Sequence, residues 1–309
     1  MNPLTLKQLR YVEALARTGH FGRAAEACAV TQPALSMQVR ALEEALGMAL
    51  FERGPRQVRT TGFGEDFLVR ARSILRAVDE LGDLARAAGQ GLSGRLRLGV
   101  IPTVAPYLLP QLIGDLTRQH PDLDLHLRET LTARLLRELA EGRLDAAIVA
   151  LPVSEPGLAE VALFSEEFVL VRPVAEADEP VPTADRLREM RLLLLEEGHC
   201  FRDQALSFCK LQPAPPRELL DGSSLSTLVQ MVGAGIGVTL IPEMAVAVET
   251  RSAAVSIARF GPPPPARSIG LIWRRSTPLS GQLRALAGLV RRSAEALRTA
   301  PPPGPDGLS

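Results

Sequence analysis

The sequence predicts an α/β chain in three parts: a small helical module, one long helix, and a larger region whose strands and helices form two lobes. Three patterns carry this expectation. Residues 1–61 hold short helical stretches punctuated by glycines and capping residues, residues 62–90 hold one heptad seam, and residues 91–300 alternate apolar strands with amphipathic helices. A length of 309 residues suits two domains with ample core. Hydrophobic residues at 46% and charged residues at 23% are ordinary for a soluble globular protein. No apolar run reaches the length of a membrane span, and the N-terminus lacks a signal-peptide core. The 35 basic and 35 acidic side chains cancel, but residues 1–60 carry Lys7 and seven arginines against five glutamates. Three cysteines fit a reducing compartment better than a secreted disulfide framework, so the expected location is the cytoplasm.

Thr5 can cap a first helix with Leu6, Leu9, Val12 and Ala16 on one face, and Gly19-His20 ends it. A second short helix runs through residues 23–28, and Ala29-Val30 makes a tight turn. Thr31 caps a third helix, with Pro33 in the first turn, where its missing N–H costs nothing. Leu35, Val39, Leu42 and Leu46 face inward along it, and Gly47 closes it. Gln32, Ser36 and Arg40, at i, i+4 and i+8, lie on a different, polar side. Two short helices, a tight turn and a helix opening with small polar residues describe a helix-turn-helix, although helical bundles contain similar hairpins. Leu50–Thr61 then reads as two extended runs about Gly54-Pro55; its arginines, Arg53 and Arg56 among them, suit a wing that tracks phosphates.

Phe67, Ala71, Ile74, Val78, Leu81, Ala85 and Ala88 are spaced 4, 3, 4, 3, 4, 3, a seam that calls for a partner helix and so for a dimerisation linker. Gly89-Gln90-Gly91-Leu92-Ser93-Gly94 is the expected flexible joint and domain boundary. Beyond it, strands at Leu96–Val100, Leu123–Leu127 and Ala146–Leu151 alternate with helices at Leu108–Leu116 and Thr132–Glu141, a βαβαβ series and hence a parallel sheet. Phe168–Val171 opens a second series with strands at Leu192–Leu195 and Val238–Ile241; Ser268–Trp273 and a helix at Leu279–Leu297 return to the first lobe. Gly233, Gly235 and Gly237 hint at a dinucleotide fingerprint, but they end a helix and precede a strand, the reverse of that motif's order. The proline-rich residues 301–309 are expected to be disordered.

Two of the three cysteines fall in Gly198-His199-Cys200-Phe201-Arg202-Asp203-Gln204-Ala205-Leu206-Ser207-Phe208-Cys209. Phe201, Ala205, Phe208 and Cys209 share an apolar helical face, so Cys200 falls at a strand-to-helix junction. A helix N-terminus, a protonated His199 and Arg202 would each favour its thiolate. Nine residues of helix rise about 13–14 Å, whereas a disulfide needs Cα atoms within about 7 Å. The pattern fits either two packed thiols or a pair that bonds only after the helix rearranges. Cys28, between the second helix and its turn, reads as a packed thiol.

Residues His20–Ala25 with Thr31–Ser36 resemble the DNA-binding signature of the LysR-type transcriptional regulators, with Gly22 where that family usually has a hydroxyl cap and Met37 at a spot often polar. The cysteine segment resembles the redox segment of their peroxide-sensing OxyR subfamily. This resemblance covers nearly the whole chain. It implies a winged helix-turn-helix at 1–61, a linker helix at 62–90 and, at 91–300, a two-lobed effector domain similar to periplasmic binding proteins. It implies that Thr31, Gln32, Pro33, Ser36, Arg40, Arg53 and Arg56 meet double-stranded operator DNA. It further implies that Cys200 reacts with hydrogen peroxide, that Cys209 closes a reversible disulfide, and that Thr103, Thr132, His199, Asp203 and Arg267 line the peroxide pocket. Thr103 and Thr132 also fall where such sheets bind ligands, at strand C-termini. A homodimer or homotetramer working with RNA polymerase on antioxidant genes follows, with no cofactor, no metal, no membrane and no enzymatic turnover. Pro213, Pro215 and Pro216 would stiffen the loop that must remodel. Two other readings stand beside this one: a regulator binding a small metabolite in the cleft, and a thiol peroxidase, for which the Thr31–Ser36 motif and the heptad linker have no use.

Overall fold

The computed structural model describes residues 4–54, 57–87, 91–187, 189–209 and 221–299. Gly89 and Gln90 of the expected joint, the prolines at 213, 215 and 216, Ala88, Arg56 and the tail at 301–309 lie outside them. Of the rest of that joint, Leu92 is buried in the core and Gly94 opens a strand, so it is not a loose linker throughout. The chain divides into two units after Ala85.

In the first unit Thr5 and Gln8 form a reciprocal cap on α1 (Leu6–Thr18), each side chain accepting from the other's backbone N–H. Leu6 is exposed rather than inward, and Tyr11 and Leu15 join Leu9 and Val12 in the core. Gly19, at φ 62°, ends α1. The cap of α2 (Phe21–Ala27) is neither a hydroxyl nor Gly22: His20 Nδ1 accepts from the Gly22 N–H at 3.0 Å and the Arg23 N–H at 3.4 Å. Gly22 lies inside the helix. Ala29, at φ 52°, makes the turn into α3 (Gln32–Leu46), whose buried stripe is Leu35, Val39 and Leu42. Strands β1 (Phe51–Arg53) and β2 (Val58–Thr60) form an antiparallel hairpin, and the Val58 N–H donates to the Gly19 carbonyl at 3.0 Å, seating that hairpin on the end of α1. Helix α4 (Gly62–Ala87) follows. Its seam is buried at Ala71 but open at Ile74 and Leu81, the latter 65% exposed.

The second unit is built on one nine-stranded sheet, in the order β4-β3-β5-β11-β6-β9-β7-β8 with β10 also on β6. Its first elements are β3 (Gly94–Val100), α5 (Ala105–Gln119), β4 (Leu123–Glu129), α6 (Thr132–Ala140) and β5 (Ala146–Leu151). They match the βαβαβ expectation, and β4, β3 and β5 are parallel. Next come β6 (Leu158–Pro173), α7 (Ala184–Leu187), β7 (Leu192–Leu195), α8 (Cys200–Phe208), β8 (Asp221–Gly222), α9 (Leu225–Gly233), β9 (Val238–Pro242), α10 (Val246–Glu249) and β10 (Val255–Arg259). The last two elements are β11 (Ala266–Arg274) and α11 (Ser280–Thr299).

The sheet is mixed rather than parallel throughout. β6 runs antiparallel to β11, β9 and β10, and β11 antiparallel to β5. The sequence pattern exposed only the apolar second half of β6, because its first half, Leu158–Glu167, mixes apolar and acidic residues; β10 also went unpredicted. Two separate cores result. Lobe I packs α5, α6 and α11 around β3, β5 and β11, with Trp273 at its centre; lobe II packs α8 and α9 around β7, β9 and the second half of β6.

The glycine run after α9 meets two different constraints. Gly235 holds φ at 74° in open space, while a Cβ on Gly237 would lie 2.2 Å from the Arg191 carbonyl oxygen. Gly237→Ala should therefore cost about 1–3 kcal/mol or more, and Gly235→Ala about 1–2 kcal/mol from backbone strain. Denaturant midpoints that ranked the two in the opposite order would refute this assignment.

Candidate functional site

β7 is four buried leucines, paired parallel to β9 and β8. The chain leaves it through Gly198, at φ 95°, where a Cβ would come within 3.0 Å of Leu131 Cδ1. The loop therefore runs against the entrance of α6, whose first residue is Thr132. His199 is the N-cap of α8 and Cys200 its first residue; Cys209 is the C-cap. None of the three cysteines is in a disulfide. The two ends of α8 serve different lobes. Cys200, half-buried, packs on the core of lobe I, while Cys209, fully buried, lies in the core of lobe II beside Phe201, Ala205 and Leu206. The helical rise between them is about 13–14 Å.

Two of the expected supports for a thiolate are otherwise engaged. Burial pushes the His199 imidazole below its ordinary pKa, against the weaker pull of Glu196, so the neutral ring is favoured. Arg202 is buried and donates to the Leu195 carbonyl and to Asp221, each at 2.6 Å. The helix N-terminus is what remains to favour an anion at this end of α8.

Below Phe201 lies a buried polar cluster. Arg267, 3% exposed, donates from Nε to Glu166 at 2.8 Å, from Nη1 to Thr103 Oγ1 at 2.8 Å and from Nη2 to the Thr103 carbonyl at 2.9 Å. Its guanidinium carbon sits 5.2 Å from the centre of the Phe201 ring. The Met244 N–H donates to the other Glu166 oxygen at 3.1 Å. Because Thr103 Oγ1 accepts from Arg267, the hydroxyl proton of Thr103 is left to donate elsewhere. Thr132 Oγ1 and Gln204 Oε1 are buried and, among the described residues, have no hydrogen-bond partner. Gln204 stands one turn beyond Cys200 on the same side of α8.

Thr103 and Arg267 are thus joined directly, with His199 and Cys200 linked to them through Phe201. Thr132 adjoins through Leu131 and Gly198; it opens α6 without a side-chain capping bond. Asp203 is not gathered in: it is exposed in the first turn of α8. Sequence reasoning missed Glu166, Phe201 and Gln204. The signal for Glu166 was available, since two adjacent acids inside a strand must point to opposite faces and only one of them can reach solvent freely.

In the first unit, Gln32, Pro33 and Arg40 are exposed and Ser36 half-buried on the side of α3 away from its core stripe. The Thr31 hydroxyl accepts from the Ala34 N–H at 3.4 Å, ordering the first turn. Arg53 lies in β1. Cys28 packs beside the helical core, and burial pushes its thiol pKa up, consistent with an inert packing role.

Residues 6–65 match the family model described as a bacterial regulatory helix-turn-helix protein of the lysR family, and residues 89–295 match the LysR substrate binding domain. A probable hydrogen peroxide-inducible genes activator of Streptomyces viridosporus is 45% identical over 302 residues, 96% of either chain. The chain belongs to the OxyR branch of the LysR family. The Escherichia coli K12 DNA-binding transcriptional dual regulator OxyR is 42% identical, over 93% of this chain and 95% of that one. A full-length OxyR variant from Pseudomonas aeruginosa superposes with TM-score 0.76 at 37% identity, covering 94% of this chain and 96% of that one. A peroxide-bound variant of Corynebacterium glutamicum OxyR does so with TM-score 0.66 at 35% identity, covering 95% and 93%.

Two expectations follow for this OxyR-type site. Glu166→Ala should destabilise the second unit by about 3–5 kcal/mol, because it strands the buried Arg267 charge, and adding Arg267→Met should restore part of the loss. Calorimetry on both variants checks this, and additive losses would contradict it. The second concerns pH. The unfolded His199 takes up a proton near pH 6.5, about its ordinary value, while the folded residue resists it, so stability falls as pH drops below that point. His199→Gln should flatten that limb of the stability–pH curve; an unchanged limb would place the titrating group elsewhere.

Proposed function

We propose that this chain is a DNA-binding regulator that senses hydrogen peroxide through Cys200 and stores the signal as a Cys200–Cys209 disulfide. The observation that carries the reading is the placement of Cys200 at the start of α8, on the helix side that carries Gln204, whose buried Oε1 has no hydrogen-bond partner among the described residues. A small molecule with two donors and several acceptors suits the site: Thr103 can donate to it, and Thr132 and Gln204 can accept from it or donate to it.

The Cys200 thiolate attacks one peroxide oxygen, the O–O bond breaks, and the departing hydroxide leaves as water after gaining a proton. Sulfenic acid remains on Cys200. The Cys209 thiolate then attacks the Cys200 sulfur and expels its hydroxyl as a second water, leaving a disulfide; peroxide has been reduced by two electrons and the thiol pair oxidised by two. The second step requires α8 to open, since about 13–14 Å of rise must shrink below roughly 7 Å. Cys209 leaves the core of lobe II as it does so, giving up about 1 kcal/mol of burial, which the bond's constraint on the chain offsets. A buried resolving thiol that moves only through local unfolding suits a sensor turning over once per signal better than a peroxidase.

The readout lies in the first unit. Gln32, Ser36 and Arg40 would meet bases or adjacent phosphates of double-stranded operator DNA, with Thr31 and Pro33 shaping that end of α3 and Arg53 and Arg56 binding backbone. The open seam of α4 suits a second copy of the chain, as a dimer or within a tetramer, and RNA polymerase is the expected downstream partner, all in the cytoplasm.

Cys200→Ser should abolish the peroxide response yet leave DNA binding intact; ordinary disulfide formation in that variant would make the nucleophile assignment wrong. Hydrogen exchange tests the opening of α8. Amides of Ala205–Cys209 should be protected in the reduced protein and lose that protection on oxidation, whereas equal protection in both states would sink the rearrangement.

A further inference from the structure

Tyr107 takes no part in the chemistry above. Its helix, α5, belongs to lobe I, and Val104, Ala105 and Leu108 enter that lobe's core. The ring of Tyr107 instead enters the core of lobe II and is only 7% exposed. At its far end the phenol donates to Glu249 Oε1 at 2.7 Å, and Ser226 donates to the other oxygen of the same carboxylate at 2.5 Å. Glu249 ends α10 and Ser226 lies in the first turn of α9, so both partners belong to lobe II. Burial and the carboxylate together hold the phenol pKa far above its ordinary value, so its proton stays in place across the physiological range.

Thr103 lies four residues before Tyr107, in the turn that leads into α5, whereas Cys200 rides on α8 of lobe II. Cys200 packs on lobe I while the rest of α8 is held in lobe II, so the separation between the Thr103 hydroxyl and the Cys200 sulfur depends on how the lobes are clamped. One clamp is Arg267, which bonds Thr103 of lobe I and stacks on the Phe201 ring of lobe II. We propose that the Tyr107–Glu249 hydrogen bond is a second clamp, a latch between the lobes, and that Tyr107 is a positioning residue holding the peroxide pocket in register over Cys200. Met244, which packs against both cores and donates to Glu166, lies on the same seam. This inference rests on the peroxide reading above. Losing the latch leaves the thiol, its helix and the Arg267 cluster chemically unchanged, so it should affect a reagent that needs the pocket and spare one that does not.

The test uses the reduced full-length chain and two reagents: hydrogen peroxide, and iodoacetamide, which alkylates Cys200 without needing a polar pocket. Tyr107→Phe keeps the ring and removes only the donor. It and Glu249→Ala should each slow Cys200 oxidation about tenfold, the size of one hydrogen bond to a charged acceptor. The double variant should be no slower than either single one, as expected for two halves of one contact. Glu249→Gln, whose amide oxygen still accepts from the phenol, should restore the rate. Alkylation should be unchanged or faster throughout. A peroxide rate within about twofold of the unsubstituted chain, or equal slowing of both reagents, overturns the latch. If peroxide leaves Cys200 of the unsubstituted chain unoxidised, the peroxide reading itself falls; if it oxidises normally and Tyr107→Phe changes nothing, only the latch does.

Discussion

A guanidinium sealed from water is tolerable only with its charge matched and its donors occupied, and Arg267 meets both conditions through Glu166 and Thr103. The pair is set by strand register, since Arg267 on β11 stands directly opposite Glu166 on β6. Their ion pair closes at 2.7 Å with both side chains out of solvent. Much else in the effector unit leans on this contact. It aims Arg267 at Thr103, sets a cation under the Phe201 ring, and ties lobe I to the backbone of Met244. Phe201 is the neighbour of Cys200, so the charge packs against the residue next to the thiol.

The second organising fact is that α8 is anchored at its two ends in different cores. Its first residue rests on lobe I and its last is sealed in lobe II. Accessibility and storage are thereby separated: Cys200, proposed to meet the oxidant, is half-buried at a helix N-terminus, and Cys209, the proposed resolving thiol, is sealed in the core. Arg202, bonded to Asp221 and Leu195, fastens the helix to β7 and β8 rather than serving the thiol. Its Nη1 donors hold the segment in the reduced geometry.

Local patterns were readable from sequence to the extent that they are local. Caps at Thr5 and Thr31, the left-handed glycines at 19 and 47, the alternation into β3 and β4, and the start of α8 at Cys200 all depend on neighbours a few residues away. The misses have a common cause. His20 displaced Gly22 as a cap because an imidazole nitrogen can accept as a hydroxyl does, a choice that composition does not signal. β6 was seen only in its apolar half, since its other half mixes apolar residues with acids, Glu166 among them. Arg267 was placed in the pocket by resemblance, but its burial, and the Glu166 that makes burial possible, come from pairing between strands about a hundred residues apart. Asp203 illustrates the reverse: proximity to Cys200 along the chain did not bring it to the cluster, because its side chain is exposed in the first turn of α8.

The strand β6 passes unbroken from one lobe into the other, paired with β11 in its first half and with β9 and β10 in its second, and this limits how the effector unit can move. Two bodies joined by loose linkers can rotate freely about them; two bodies sharing one hydrogen-bonded strand move chiefly by twisting it. Sliding by one residue would turn every side chain to the opposite face and carry Arg267 away from Glu166. The compliant spot is marked by the irregularity between Ile269 and Gly270, two residues from Arg267, where the register with β6 shifts. The softest point of the sheet therefore adjoins a buried, paired charge, so a twist between the lobes would bear first on the Arg267–Glu166 pair.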